Sequence, residues 1–239
     1  MKTALTILLG CFTSLTVLAQ QQTIHNIINT VSNIPTGKGL SNADITKGLK
    51  EALNVGAQKA TDNAAKLDGF YKNPLIKIPF PKEVKQVEKS LRGIGINKPV
   101  DDFIRTMNRA AEDASKSALP IFVNAITSLS IQDGLRILQG GDTAATAYLR
   151  TQTSGQLGTS FKPIITQATS KAQVTKHWTA VTKQYNKIGI GKKVNPDLNE
   201  YITQQALKGL FLLVGQEEIK IRKDPMARIN EILKKVFGS

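Results

Sequence analysis

Helical periodicity runs through almost the whole of this chain, and it leaves little room for anything but a bundle of helices. Ser41 offers an N-cap with Asp44 three residues on, and Ile45, Leu49, Leu53, Ala60 and Ala64 then continue one apolar face. Asp68-Gly69 predicts the end of that helix. Residues 70–80 (FYKNPLIKIPF) break the pattern: Ile76, Ile78 and Phe80 alternate with Lys77 and Pro79, an extended stretch or at best an edge strand. Pro81 can open a helix that Gly93 closes. A long helix follows from about Pro99 to Ala118, with Phe103, Met107, Ala110, Ala111 and Ala114 inward, and Pro120 breaks or kinks it. Ser130 with Asp133 caps the next helix, Gly140-Gly141 ends it, and Asp142 is expected to cap another. Val174, Trp178, Val181, Tyr185 and Ile188 recur at steps of three and four. Asn195-Pro196 starts a helix whose run Ala206–Val214 is too short to span a membrane and reads as core. Asp224-Pro225 caps a last helix with Met226, Ile229, Ile232, Leu233, Val236 and Phe237 on one stripe.

The expected fold is therefore all-α: a single compact domain of about eight to ten helices over residues 38–239, with at most a short extended segment near 75–80. At 239 residues, with 41% hydrophobic and 21% charged side chains, the chain can bury a proper core, and intrinsic disorder is excluded. Residues 87–100 (VEKSLRGIGINKPV) and 181–194 (VTKQYNKIGIGKKV) agree at seven of 14 positions. Either the domain contains two weakly repeated halves, or two similar turns arose by convergence.

Residues 1–19 (MKTALTILLGCFTSLTVLA) place one lysine before an uncharged apolar run that closes on Val17 and Ala19, the small-residue pattern of a cleaved signal peptide. Cleavage after Ala19 would leave residues 20–37, with a short amphipathic helix carrying His25, ahead of the domain. The expected location is the periplasm or the outside of a bacterial cell. Two alternatives stand: an uncleaved anchor, for which the apolar run is short, and a lipoprotein lipidated at Cys11, which sits in the middle of that run. Cys11 is the one cysteine, so no disulfide framework or cysteine-based zinc site can form.

Charge narrows the partners. The chain carries 32 basic and 18 acidic residues, a net charge of +14. Residues 38–98 and 161–239 are basic, and residues 99–160 are weakly acidic. Lys82, Lys85, Lys89 and Arg92 recur at the spacing of one helix face, as a binding stripe or simply a solvated surface. No basic run is dense enough for a nucleic-acid arm, and aromatics, at 5%, are too few for base stacking. For an exported chain the available polyanions are anionic lipid, lipopolysaccharide and cell-wall polymer.

Motifs of known chemistry are missing: there is no nucleophile elbow, P-loop, HExxH or spaced Cys/His cluster. His25 and His177 lie far apart. No catalytic residue, metal ligand or cofactor is expected. Two polar constellations remain as candidate binding residues. Asn108 and Glu112 stand one helical turn apart beside Arg109 and a small-residue face. Glu218 and Arg222 have ion-pair spacing, as do Asp224 and Arg228. Such groups pair weakly on a surface, but buried between helices they form a network or a ligand cleft.

The blocks SNADITKGLKEAL (41–53), FYKNPLIKIPFP (70–81), MNRAAEDA (107–114), QDGLRILQGGDTAATAYLR (132–150), YITQQALKGLF (201–211) and EEIKIRKDPMARINEILKKVFG (217–238), in this order, resemble the bacterial domain-of-unknown-function family numbered 4197. The resemblance covers about residues 38–238. It implies an exported, mostly helical envelope protein and carries no activity, cofactor or catalytic residue.

The leading functional expectation is a non-enzymatic binding or scaffolding protein touching an anionic envelope component or a protein partner, and not an integral membrane protein once the leader is removed. The alternative is a carrier of an apolar ligand such as a lipid, lined by Ala206–Val214. A third reading is a hydrolase using Asn108, Glu112, Asp133, Asp142, Glu217 and Glu218.

Overall fold

The computed structural model describes residues 41–82, 85–95, 97–171, 178–179, 186–187, 193, 197–224 and 234. The leader, the 20–37 segment with His25, most of the 171–194 stretch with His177, and the last stripe at 226–237 with Arg228 lie outside these residues.

Seven helices lie among the described residues: α1 (Asn42–Ala65), α2 (Lys85–Gly93), α3 (Asn97–Ser115), α4 (Ala118–Thr127), α5 (Ile131–Gln139), α6 (Ala144–Lys171) and α7 (Leu198–Lys223). No strand occurs among them, so the body is all-α. Of the further helices expected over 171–188 and 226–237, residues 178–179, 186–187 and 234 are described and helical, and the rest fall outside the described residues.

The apolar face of α1 is buried as its spacing requires, from Ile45 through Leu49, Leu53, Ala57 and Ala60 to Ala64. The chain leaves α1 through Asp68 in the left-handed region (φ 65°). Gly69 follows because a Cβ there would collide with the carbonyl oxygens of Asn63 and Ala64. The long helix expected from about 99 to 118 is α3, which ends at Ser115. The break falls at Lys116-Ser117, and Pro120 sits in the first turn of α4, where its missing N–H has no intrahelical partner to lose. Ser130 and Asp133 form the reciprocal capping box at the start of α5.

Helix α7 is the spine. It packs against α6, α1 and α3, and its Ile202, Ala206, Leu210 and Phe211 are buried almost completely. From α6, Leu149, Leu157, Phe161 and Ile165 meet it with no exposure at all. Phe122 of α4 meets Phe211 edge to face at 5.8 Å. Each fully buried Phe or Leu contributes about 1.5–3 kcal/mol, so this seam dominates the stability. Ala206–Val214 is thus core, except that Lys208 and Leu212 face outward, Leu212 with 43% exposure.

Residues 66–82 form a strap without regular structure, laid across α3 and α7. Ile76 and Ile78 point inward and Lys77 and Pro79 outward, the alternation of an extended chain. A Cβ on Gly209 of α7 would come within 2.7 Å of the Phe70 ring and 3.0 Å of Ile76, so only glycine lets the strap lie this close.

Candidate functional site

Asn108 and Glu112, one turn apart on α3, both reach the strap. Asn108 has no exposure. Its Oδ1 accepts the Ile78 N–H at 2.8 Å, and its Nδ2 donates to the carbonyls of Ile78 at 2.9 Å and Ile104 at 2.7 Å. One side-chain amide thereby takes the place of a neighbouring strand, satisfying both polar groups of Ile78. Glu112 Oε1 accepts the amides of Phe70 at 3.1 Å and Tyr71 at 3.0 Å. Its other oxygen takes Arg109 at 2.6 Å, and Arg109 also donates to Asp68 at 2.5 Å. Hydrogen bonds from Lys72 and then Arg109 hold the Asp68 carboxyl below its ordinary pKa. Burial works against the Arg109 charge, but Glu112 and Asp68 outweigh it and raise its pKa.

Glu218, on α7, caps a different helix. Its carboxylate accepts the amides of Ala145 at 2.9 Å and Thr146 at 2.8 Å and the Thr146 hydroxyl at 2.8 Å, filling the first turn of α6. Arg222 donates to Glu218 at 3.0 and 2.9 Å and to the Ile137 carbonyl near the end of α5 at 2.8 Å. A carboxylate therefore meets the positive end of one helix dipole and a guanidinium the negative end of another. The cap expected from Asp142 is supplied by Glu218 instead, and Asp142 pairs with Lys223.

The six side chains of the hydrolase reading do not share partners. Asp133 caps α5, Glu217 holds Lys220 at 2.6 Å, and Asn108, Glu112, Asp142 and Glu218 are engaged as described. Among the described residues no three His, Cys, Asp or Glu side chains converge as a metal ion needs.

The basic stripe is divided. Lys85 and Lys89 are exposed on α2, and Lys82 lies ahead of that helix. Arg92 is committed to Glu88 at 3.1 Å and Asp101 at 2.8 Å. Arg228 lies outside the described residues.

Beside the strap, α6 and the outer face of α7 enclose an open groove of about 570 Å³. Lys77 and Lys82 of the strap, Arg150 of α6 and Lys208 of α7 line it, and among the described residues no carboxylate does. Among the described residues no carboxylate forms an ion pair with these four cations. The Arg150 guanidinium rests on the Phe211 ring at 4.7 Å and the Lys77 ammonium over Tyr71 at 4.6 Å. Only Lys82 of this set belongs to the stripe read from spacing. The other three come from segments far apart in sequence, and the one local signal was Lys208 inside the apolar run 206–214.

The architecture defines a class: a small all-helical protein with a strap pinned across its spine and a cation-lined groove beside it. Residues 39–238 match the family described as "Protein of unknown function (DUF4197)", and the chain belongs to that family. No curated protein and no solved structure matches it.

Proposed function

We propose that this chain is a non-enzymatic binding protein of the bacterial cell envelope that takes an anionic component in the groove between the strap, α6 and α7. One observation carries the reading: the buried carboxylates are engaged in holding the fold together, while four cations converge on an open groove with no carboxylate among the described residues that line it. Charge bias of this kind draws in anions and disfavours catalysis by paired acids. The leader-like pattern at residues 1–19 supports the envelope, where anionic lipids and polymers are plentiful. Among the described residues no helix is long and apolar enough to cross a membrane.

The test is a binding panel of phosphatidylglycerol, lipopolysaccharide, cell-wall polymer and long-chain fatty acid, each beside an uncharged or zwitterionic counterpart. At least one anionic component should bind more tightly than its counterpart. That binding should weaken as salt shortens the screening length from about 30 Å at 0.01 M to about 8 Å at 0.15 M. Replacing Lys77, Lys82, Arg150 and Lys208 together by glutamate should abolish it. Equal binding of charged and neutral forms, or full binding by the charge-reversed variant, would overturn the reading.

A further inference from the structure

The groove is polarised along its length. Helices α6 and α7 run antiparallel, because Arg150 sits over Phe211 while Thr143 and Thr146 face Gly215. The strap also runs against α7: Tyr201 donates its hydroxyl to the Pro79 carbonyl, and Ile76 packs at Gly209. Arg150, Lys208, Lys77 and Lys82 therefore gather toward the Tyr201–Phe211 end. Beyond Leu212 the lining residues are Leu75, Ala147, Gly215 and Ile219 with uncharged polar neighbours, and no charged side chain is among them. Leu75 and Leu212 stand 60% and 43% exposed there, large apolar side chains with no cover among the described residues.

We propose that this groove binds one single-chain anionic amphiphile, a long-chain fatty acid or a lysophospholipid, with its head at Arg150 and Lys208 and its chain along the outer face of α7 toward Ile219. The proposal rests on the envelope-binding reading and names its ligand class. Charge complementarity fixes the head: the planar guanidinium of Arg150, steadied on Phe211, can take a carboxylate or phosphate in a two-pronged hydrogen bond while Lys208 adds a point charge. Length fixes the tail. From Lys208 to Ile219 the lining helix extends about 16 Å at 1.5 Å per residue, the reach of most of a long acyl chain. The floor is one helix face wide, which suits one chain better than two. A volume of about 570 Å³ is ample for such a molecule.

Calorimetric titration of the purified chain decides the matter, using palmitate and palmitoyl-lysophosphatidylglycerol below their micelle concentrations, with palmitoyl-lysophosphatidylcholine as the zwitterionic control. One or both anionic ligands should bind; palmitate alone would mark a carboxylate site and the lysophospholipid alone a phosphate site. Affinity should rise from octanoate through laurate to palmitate by about twofold or more per methylene buried. Arg150→Gln with Lys208→Gln should weaken binding about tenfold or more. Ala147→Trp, at an exposed wall position, should block the tail to a similar extent while leaving the helical circular dichroism unchanged. Equal binding of lysophosphatidylcholine, indifference to chain length, or an unaltered affinity in Ala147→Trp would overturn the proposal. If anionic vesicles or polymers bind and neither monomer does, the groove proposal falls and the envelope-binding reading stands. If no anionic component binds, both fall.

Discussion

Asp68 does two things at once. Its backbone is left-handed (φ 65°), and its carboxylate joins Arg109 to Lys72. Asparagine tolerates the same backbone, so Asp68→Asn removes the charge and keeps the turn. The carboxyl pKa is lowered in the folded state, which places its stabilising effect above the unfolded value near 3.9 and removes it as pH falls through the folded pKa. Urea midpoints of wild type and Asp68→Asn should therefore differ at pH 7 and converge in acid. A gap that stays constant down to pH 2 would assign the effect to something other than charge. Asn108 poses a different kind of problem, because it is fully buried and answers both polar groups of Ile78. Asn108→Ala should cost about 2–4 kcal/mol by denaturant titration, since it strands an N–H and a carbonyl away from water. A loss under about 0.5 kcal/mol would mean that the strap finds other partners. The sequence marked Asn108 and Glu112 as a pair on one side of a helix, and that much was local geometry. Their partners at Phe70, Tyr71 and Ile78 lie 30 to 42 residues away, and no periodicity encodes contacts at that distance.

Helix ends in this protein are finished by distant side chains as well as by neighbouring ones. The Ser130–Asp133 box was legible because all its parts lie within four residues. The cap of α6 was not, because its acceptor, Glu218, stands 72 and 73 residues from the amides it receives. The i, i+4 spacing of Glu218 and Arg222 announced their ion pair, while the carbonyl and amides they also hold come from α5 and α6. Glu218→Ala should lower stability by about 2–4 kcal/mol, because it opens the first turn of α6 and leaves Arg222 without its buried anion. The loss should persist in high salt, since both side chains are at most one-tenth exposed and poorly screened. If added salt restores the variant to wild-type stability, the pair acts only as a surface interaction. The break between α3 and α4 makes a related point. Pro120 signalled an interruption, but proline is comfortable in a first turn, so the chain parted just ahead of it.

Across the whole molecule, protection from solvent is graded. Among the described helices α2 packs substantially on α3 alone, whereas α7 touches α6, α1 and α3. Amide exchange should accordingly be slowest through Ala206–Val214 and fast across Lys85–Gly93. Equal protection of α2 and α7 would contradict this ordering. The all-α class was legible at this scale because nearly every helix carries its own apolar stripe. The groove was not, since Lys77, Arg150 and Lys208 meet only through tertiary packing. The position of α7 in the chain also governs the order of folding. Ribosomes make the chain from its N-terminal side, so α1, α3 and α6 exist as nascent chain before the helix that joins them has been made. Until Glu218 and Arg222 emerge, the first turn of α6 has no acceptor and the core has no centre. A nascent chain stopped before Leu198 should therefore stay open and sensitive to protease, and compaction should come late, within the synthesis of the final helix described here.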